Sequence, residues 1–183
     1  MVDGAFSLYR DEVITSLNEH GVAYKLVGGS VVQLIDSTRE TSDLDLMIQK
    51  TRDNIDKLIQ ALAACQFASI SDLSEQIYGD AGGVDDYDAF QLIPSNPLWS
   101  EFHIDMCFKL GDSDYNTYGN ETHETSSGLQ IRSIPFVDIV RMKAKVFPKP
   151  RLQDIKDIGV IADHLGLDPM TGEPKSDGKD GHK

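Results

Sequence analysis

The chain has 183 residues, with 30 acidic against 17 basic side chains and a net charge of −13. That length suits one domain, and 40% hydrophobic with 26% charged residues is enough for a core that needs no disulfide or metal staple. The acidic total excludes a protein that coats nucleic acid through a uniformly basic surface, though not a local basic groove.

Phe6, Tyr9, Val13 and Leu17 recur at steps of three and four, which predicts a helix over 3–20 ended by Gly21. A short strand over 22–27 follows, then the turn Gly28-Gly29-Ser30 and a short apolar helix through Val31–Ile35. A second strand is predicted over 43–48, and Thr51 caps a helix whose apolar face is Ile55, Leu58, Ile59 and Leu62. Residues 71–86 are polar and glycine-containing and read mostly as loop. Strands are expected at 88–93 and 101–110, then a long excursion or hairpin over 111–128, and a last strand at 129–134. Pro135 opens a helix to about Phe147. Pro148 and Pro150 break it, and a final helix spans about 152–165. Beyond 168 the composition predicts a disordered tail. The fold class is α/β of the α+β kind, a mixed β-sheet with helices packed on it, in one domain over 1–167.

No apolar run approaches the ~20 residues that span a bilayer and no signal-peptide pattern is visible, so no membrane and a cytoplasmic location are expected. Cys65 and Cys107 have no metal-ligand spacing and read as free thiols.

Three Asp-x-Asp pairs occur: Asp43/Asp45, Asp86/Asp88 and Asp112/Asp114. The latter two lie in or beside polar loops, where solvated carboxylates are expected. Asp43 and Asp45 alternate with Leu44 and Leu46, so a strand puts both carboxylates on one face and both leucines on the other. Adjacent carboxylates repel, and hard divalent cations relieve that repulsion, Mg²⁺ taking one or two carboxylates together with substrate phosphates. Asp105 stands among Phe102, Ile104, Met106 and Phe108, pointing away from that apolar face with His103 and Cys107. If its strand neighbours the first, three carboxylates can hold two metals, and one can accept a hydroxyl proton. The Gly28-Gly29-Ser30 turn, upstream of this pair, brings backbone N–H groups and a hydroxyl to where a phosphate can lie.

Leu26-Val27-Gly28-Gly29-Ser30, then Arg39-x-Thr41-x-Asp43-x-Asp45, then Ile104-Asp105, resembles the nucleotidyltransferase superfamily of DNA polymerase β type. Its Arg-x-Thr-x-Asp-x-Asp form is most similar to the abortive-infection toxin-type nucleotidyltransferases of bacteria, with the aminoglycoside and lincosamide enzymes a second possibility. The resemblance continues through Lys143 and Arg151-x-x-Asp154-x-x-Asp157. It departs at Val31-Val32, where small or aromatic residues are often seen, and in lacking the larger C-terminal helical domain of many members.

The resemblance implies a nucleotidyltransferase-like fold and Mg²⁺-dependent transfer of an NMP from an NTP to a hydroxyl acceptor. Asp43, Asp45 and Asp105 would hold two metal ions, with Asp105 also helping to deprotonate the acceptor. Gly28, Gly29, Ser30 and Arg39 would form the nucleotide side of the site. Lys143 would neutralise the triphosphate, while Asp154 or Asp157 would order the last helix or contact Lys143. A tRNA or a protein is the favoured acceptor, a small antibiotic the alternative, and a toxin role carries the expectation of a cognate antitoxin. Residues 132–156 hold seven basic and two acidic residues, a +5 segment that suits a triphosphate. The competing expectation is an NTP-binding regulatory module that performs no transfer.

Overall fold

The computed structural model describes residues 3–79, 88–144 and 151–169. The chain divides into two compact units, 1–135 and 136–183.

In the first unit, α1 (Asp3–Glu19) buries Phe6, Val13, Ile14 and Leu17, and Gly21 ends it at φ +63°. After β1 (Tyr24–Leu26), the short α2 begins at Gly28 itself and runs to Val32. β2 (Asp43–Ile48) follows, then α3 (Arg52–Ala64), whose Asn54 N–H donates to the predicted cap Thr51. The stretch read as loop over 71–86 contains instead a helix, α4 (Ile70–Tyr78). Ser69 accepts the Asp72 N–H at 3.1 Å, and only Leu73 and Ile77 are buried. Ile70, Leu73 and Ile77 stand at i, i+3 and i+7 behind the Ser69 cap, a helical period that the loop expectation passed over in favour of the polar residues and glycines around it. The remainder of that predicted loop from 80 on, Asp86 included, lies outside the described residues.

β3 (Ala89–Leu92) and β4 (His103–Cys107) flank a 3-10 turn at Pro97–Trp99. The strand predicted over 101–110 is therefore divided. Its last residues form β5 (Lys109–Leu110), which pairs with β6 (Ser113–Asp114) around Gly111 at φ +63°. The excursion 111–128 also holds β7 (Glu121–Glu124), the hairpin partner of β8 (Gln130–Ser133).

Six strands make one mixed sheet in the order β3-β4-β2-β1-β8-β7. β2 and β4 are parallel, as are β1 and β8, and the other neighbours are antiparallel. One face carries Leu44, Leu46, Ile104 and Met106, all buried. Phe6, Tyr9 and Val13 of α1 line a space of about 10 Å³ with Leu44 and Ile104, so α1 packs on this face. Each such side chain contributes roughly 1.5–3 kcal/mol by leaving water. The opposite face of β2 and β4 is thereby left to the aspartates.

The second unit holds α5 (Phe136–Ala144) and α6 (Leu152–Leu165). Ile139, Ile158, Ile161 and Ala162 are buried, and the Phe136 and His164 rings meet edge to face at 5.2 Å. The predicted extension of α5 to Phe147 and nearly all of the predicted tail, from 170 on, lie outside the described residues. Among the described residues no helix is long and apolar enough to cross a membrane. Both cysteines are free and buried.

Candidate functional site

The parallel pairing of β2 with β4 sets Asp43 opposite His103 and Asp45 opposite Asp105. Residues opposite one another share a face, so the three predicted aspartates come together on the side away from the buried leucines. β3 adds Gln91, in register with Asp105, whose Nε2 donates to Asp105 Oδ1 at 2.9 Å.

Asp45 is the most constrained of the three. Its carbonyl accepts the Val27 N–H at 3.0 Å, and its own N–H donates to Ser30 Oγ at 3.0 Å. Its Oδ2 accepts the Gly29 N–H at 3.0 Å and the Ser30 N–H at 3.3 Å. Ser30, fully buried, also places its hydroxyl 3.0 Å from the Asp43 carbonyl. The glycine turn and the aspartate strand are thus bound to each other through one serine.

Gly28 makes this approach possible. It sits at φ +59°, and a Cβ there would lie 2.6 Å from Asp45 Oδ2. A Cβ on Gly29 would lie 2.9 Å from Arg39 Nη2, so the Arg39 guanidinium rests over the same turn. Gly28 thus has a steric reason that the sequence pattern alone did not specify, whereas at Gly29 the neighbour is the tip of a flexible arginine that can move aside.

Burial pushes the Asp45 carboxyl up to about 6, and the Asp105 charge adds to the shift against the opposing Ser30 and Gly29 hydrogen bonds. The Cys107 thiol on the same face is pushed up to about 12, first by burial and then by Asp45 and Asp105. The face is therefore electronegative. Among the described residues neither Asp45 nor Asp105 has a Lys or Arg in salt-bridge range, while His103 Nδ1 lies 3.6 Å from Asp43 Oδ1. Lys25, buried on the neighbouring strand, donates instead to the carbonyls of Tyr115 and Tyr118 at 2.5 and 2.6 Å.

The donor set is all hard oxygen, the kind that Mg²⁺ takes, and its mutual repulsion is of the sort a cation relieves. In the present side-chain arrangement no three His, Cys, Asp or Glu among the described residues form one ion-sized group. Asp45 turns Oδ2 toward the glycine amides.

The predicted residues of the second unit gather with one another. Lys143 Nζ lies 2.9 Å from Asp154 Oδ1 and 2.8 Å from Asp157 Oδ2, and both carboxylates are buried. Arg151 grips Asp154 with Nε at 2.9 Å and Nη2 at 3.0 Å, and Gln153 Nε2 donates to Asp157 Oδ1 at 2.8 Å. These contacts, Arg151 before Lys143, hold the Asp154 carboxyl well below the usual carboxylate range. Asp154 and Asp157 thus both contact Lys143, one of the two roles expected of them.

The basic segment is largely answered locally. Arg132 donates to Asn18 and to the Val22 carbonyl, and Arg141 pairs with Asp138 at 2.9 Å. Lys145 and Lys149 lie outside the described residues. Of the other Asp-x-Asp residues, Asp88 lies 3.7 Å from Lys109, and Asp114 accepts the N–H groups of Asn116 and Thr117 in a turn.

Compared with known families and with curated proteins, the sequence matches none.

Two residues of the site were not assigned from sequence. His103 is visible there as a polar residue two before Asp105, on its face of the strand. Gln91 gave no signal, because its place depends on which strand β3 pairs with.

Proposed function

We propose that the chain is a Mg²⁺-dependent nucleotidyltransferase of the DNA polymerase β type, transferring an NMP from an NTP to a hydroxyl acceptor. The observation that carries this reading is the register of β2 with β4, which aligns Asp45 with Asp105 beside the Gly28-Gly29-Ser30 turn. Asp43, Asp45 and Asp105 would hold the metal ions, whose chemistry is to neutralise the triphosphate and polarise the α-phosphorus. Gly29, Ser30 and Arg39 bind the phosphates on the nucleotide side. Asp105 takes the acceptor's hydroxyl proton on Oδ2, its Oδ1 being held by Gln91. The acceptor oxygen then bonds to the α-phosphorus as the bond to the β-phosphate oxygen breaks, and pyrophosphate leaves.

A tRNA end or a protein hydroxyl is the acceptor we favour, in a toxin whose antitoxin would be its physiological partner. Purified protein incubated with each α-labelled NTP, Mg²⁺, and either total tRNA or cell lysate tests this. Label in RNA or protein that is lost with Asp43→Asn and Asp105→Asn supports the reading. Labelling that survives both substitutions overturns the site.

One observation favours a second reading, an NTP-binding module that performs no transfer: Asp45 Oδ2 is engaged by the Gly29 and Ser30 amides. Mg²⁺-dependent NTP binding without pyrophosphate release would select that alternative.

A further inference from the structure

Helix α1 turns an exposed stripe outward: Leu8, Glu12, Thr15 and Glu19, spaced by four, three and four residues. Leu8 is 73% exposed. Alongside it, the 3-10 turn at Pro97–Trp99 buries Trp99 and leaves Leu98 75% exposed.

Leu98 is held out by its surroundings. The Tyr9 hydroxyl donates to the Leu98 carbonyl, and the Tyr9 and Trp99 rings meet at 4.4 Å. Asn96 Oδ1 accepts the Leu98 N–H at 3.1 Å, while Asn96 Nδ2 donates to the Gln66 carbonyl at 2.9 Å. That carbonyl is presented by Gln66 at φ +59°, just past the end of α3. The turn is therefore tied to two helices, and its leucine stands on a fixed rim.

Between Leu8 and Leu98 lies a concavity of about 380 Å³, lined also by Tyr9, Glu12, Cys65 and Trp99. Glu12 and Cys65 also line a second concavity of about 400 Å³, which runs on past Thr15 to Glu19. Together they make one groove along α1, apolar at one end. Among the described residues every charged group lining it is acidic: Asp11, Glu12 and Glu19. Asp11 is answered by Arg10 at 2.8 Å, which leaves Glu12 and Glu19 facing outward.

We propose that this groove binds a basic amphipathic helix of a partner protein, with an apolar side chain between Leu8 and Leu98 and Lys or Arg opposite Glu12 and Glu19. At a rise of about 1.5 Å per residue the two glutamates stand roughly 10 Å apart along α1. A helix laid alongside matches them with basic residues seven positions apart, its apolar anchor four positions beyond the base that meets Glu12. The chain's net charge of −13 steers such a partner in and repels nucleic acid or an anionic lipid surface. A second copy of this chain carries the same net charge of −13 and is repelled as a whole.

The inference is independent of the nucleotidyltransferase reading. Its test uses a labelled helical peptide of about 18 residues with Leu, Lys and Lys at positions i, i+4 and i+11, and a control with Glu for Lys, read by fluorescence anisotropy on the full chain. The Lys peptide is expected to bind and the Glu peptide not. Glu12→Lys with Glu19→Lys, and separately Leu8→Ser with Leu98→Ser, are expected to weaken binding at least about tenfold. Glu75→Lys with Asp112→Lys makes the same charge change at exposed sites outside the groove, and is expected to leave binding within about twofold. Four outcomes overturn the proposal: no binding of the Lys peptide, equal binding of the Glu peptide, equal loss in the control variant, or no loss in either groove variant. Sedimentation showing a dimer that the groove variants dissolve would overturn it too, because the occupant would be a second copy.

Discussion

Asp45 and Gly28 occupy adjoining space: a single methyl group on the glycine would lie 2.6 Å from the aspartate's Oδ2. The aspartate can receive the Gly29 and Ser30 amides only because residue 28 has no side chain. Gly28 is also at φ +59°, where an L residue is strained by about 1–2 kcal/mol.

Gly28→Ala is therefore expected to destabilise the first unit by more than the backbone strain alone, on the order of 2–4 kcal/mol in urea unfolding. Pairing it with Asp45→Ala should relieve the clash and leave the strain. A double variant no more stable than Gly28→Ala would mean that the contact with Asp45 contributes nothing.

Asp45 also sets a pH dependence. Its carboxyl is raised to about 6 in the fold, above an unfolded value near 4, so the folded state holds the extra proton between these limits. Stability is expected to fall as pH rises from about 4 to 6 and to stay lower above that range. Asp45→Asn should flatten this slope and make the protein more stable than wild type at pH 8. Thermal melts across pH 4–8 read both effects. Mg²⁺ or Mn²⁺ should raise the melting temperature of wild type at pH 8 and act less on the variant.

Gln91 touches only Asp105 among the proposed metal-side groups, through the 2.9 Å hydrogen bond to Oδ1. Gln91→Leu is expected to lower kcat for transfer by about tenfold while leaving the KM for NTP nearly unchanged. Gln91→Asn should not restore it, since the shorter amide falls short. Equal changes in KM and kcat would place Gln91 on the nucleotide side instead.

In the second unit, Lys143→Met would leave Asp154 and Asp157 buried with one positive partner removed. A loss of about 3–5 kcal/mol in unfolding free energy is expected. Adding Asp157→Asn removes one uncompensated charge and should recover part of the loss. The Asp154 carboxyl is lowered in the fold, so its contribution is present above about pH 4 and is lost as acid protonates it. Wild type should therefore lose stability below that pH, and Asp154→Asn should lose less.

Much of this arrangement was legible in the chain because it rests on short periods. The alternation at 43–46 assigned Asp43 and Asp45 to one face before any partner strand was known, and the same alternation assigned Asp105. Spacing after the Pro148 and Pro150 break also located α6 at about 152–165, the span it takes. What stayed hidden depends on pairing between distant segments. α4 is an exception: Ile70, Leu73 and Ile77 carry a helical period behind Ser69 that the polar residues between them obscured. Gln91 became part of the site through the antiparallel docking of β3, and Lys25 lost any claim on the aspartates by bonding to carbonyls some ninety residues away. The strong attachment of Lys143 to both Asp154 and Asp157, rather than to one of them, likewise follows from how two helices meet.

The pairing of β2 with β4 carries a consequence for how the chain selects its fold. A slip of one residue would bring Ile104 or Met106 beside Asp45 and drive Asp105 into the layer occupied by Leu44 and Leu46. A carboxylate in that layer would face apolar side chains without a partner, at a penalty that exceeds what one displaced leucine loses. The aspartates therefore act as a checksum on assembly: any slip by one residue puts a charge in the core, and the observed alignment, which does not, also sets Asp45 beside Asp105.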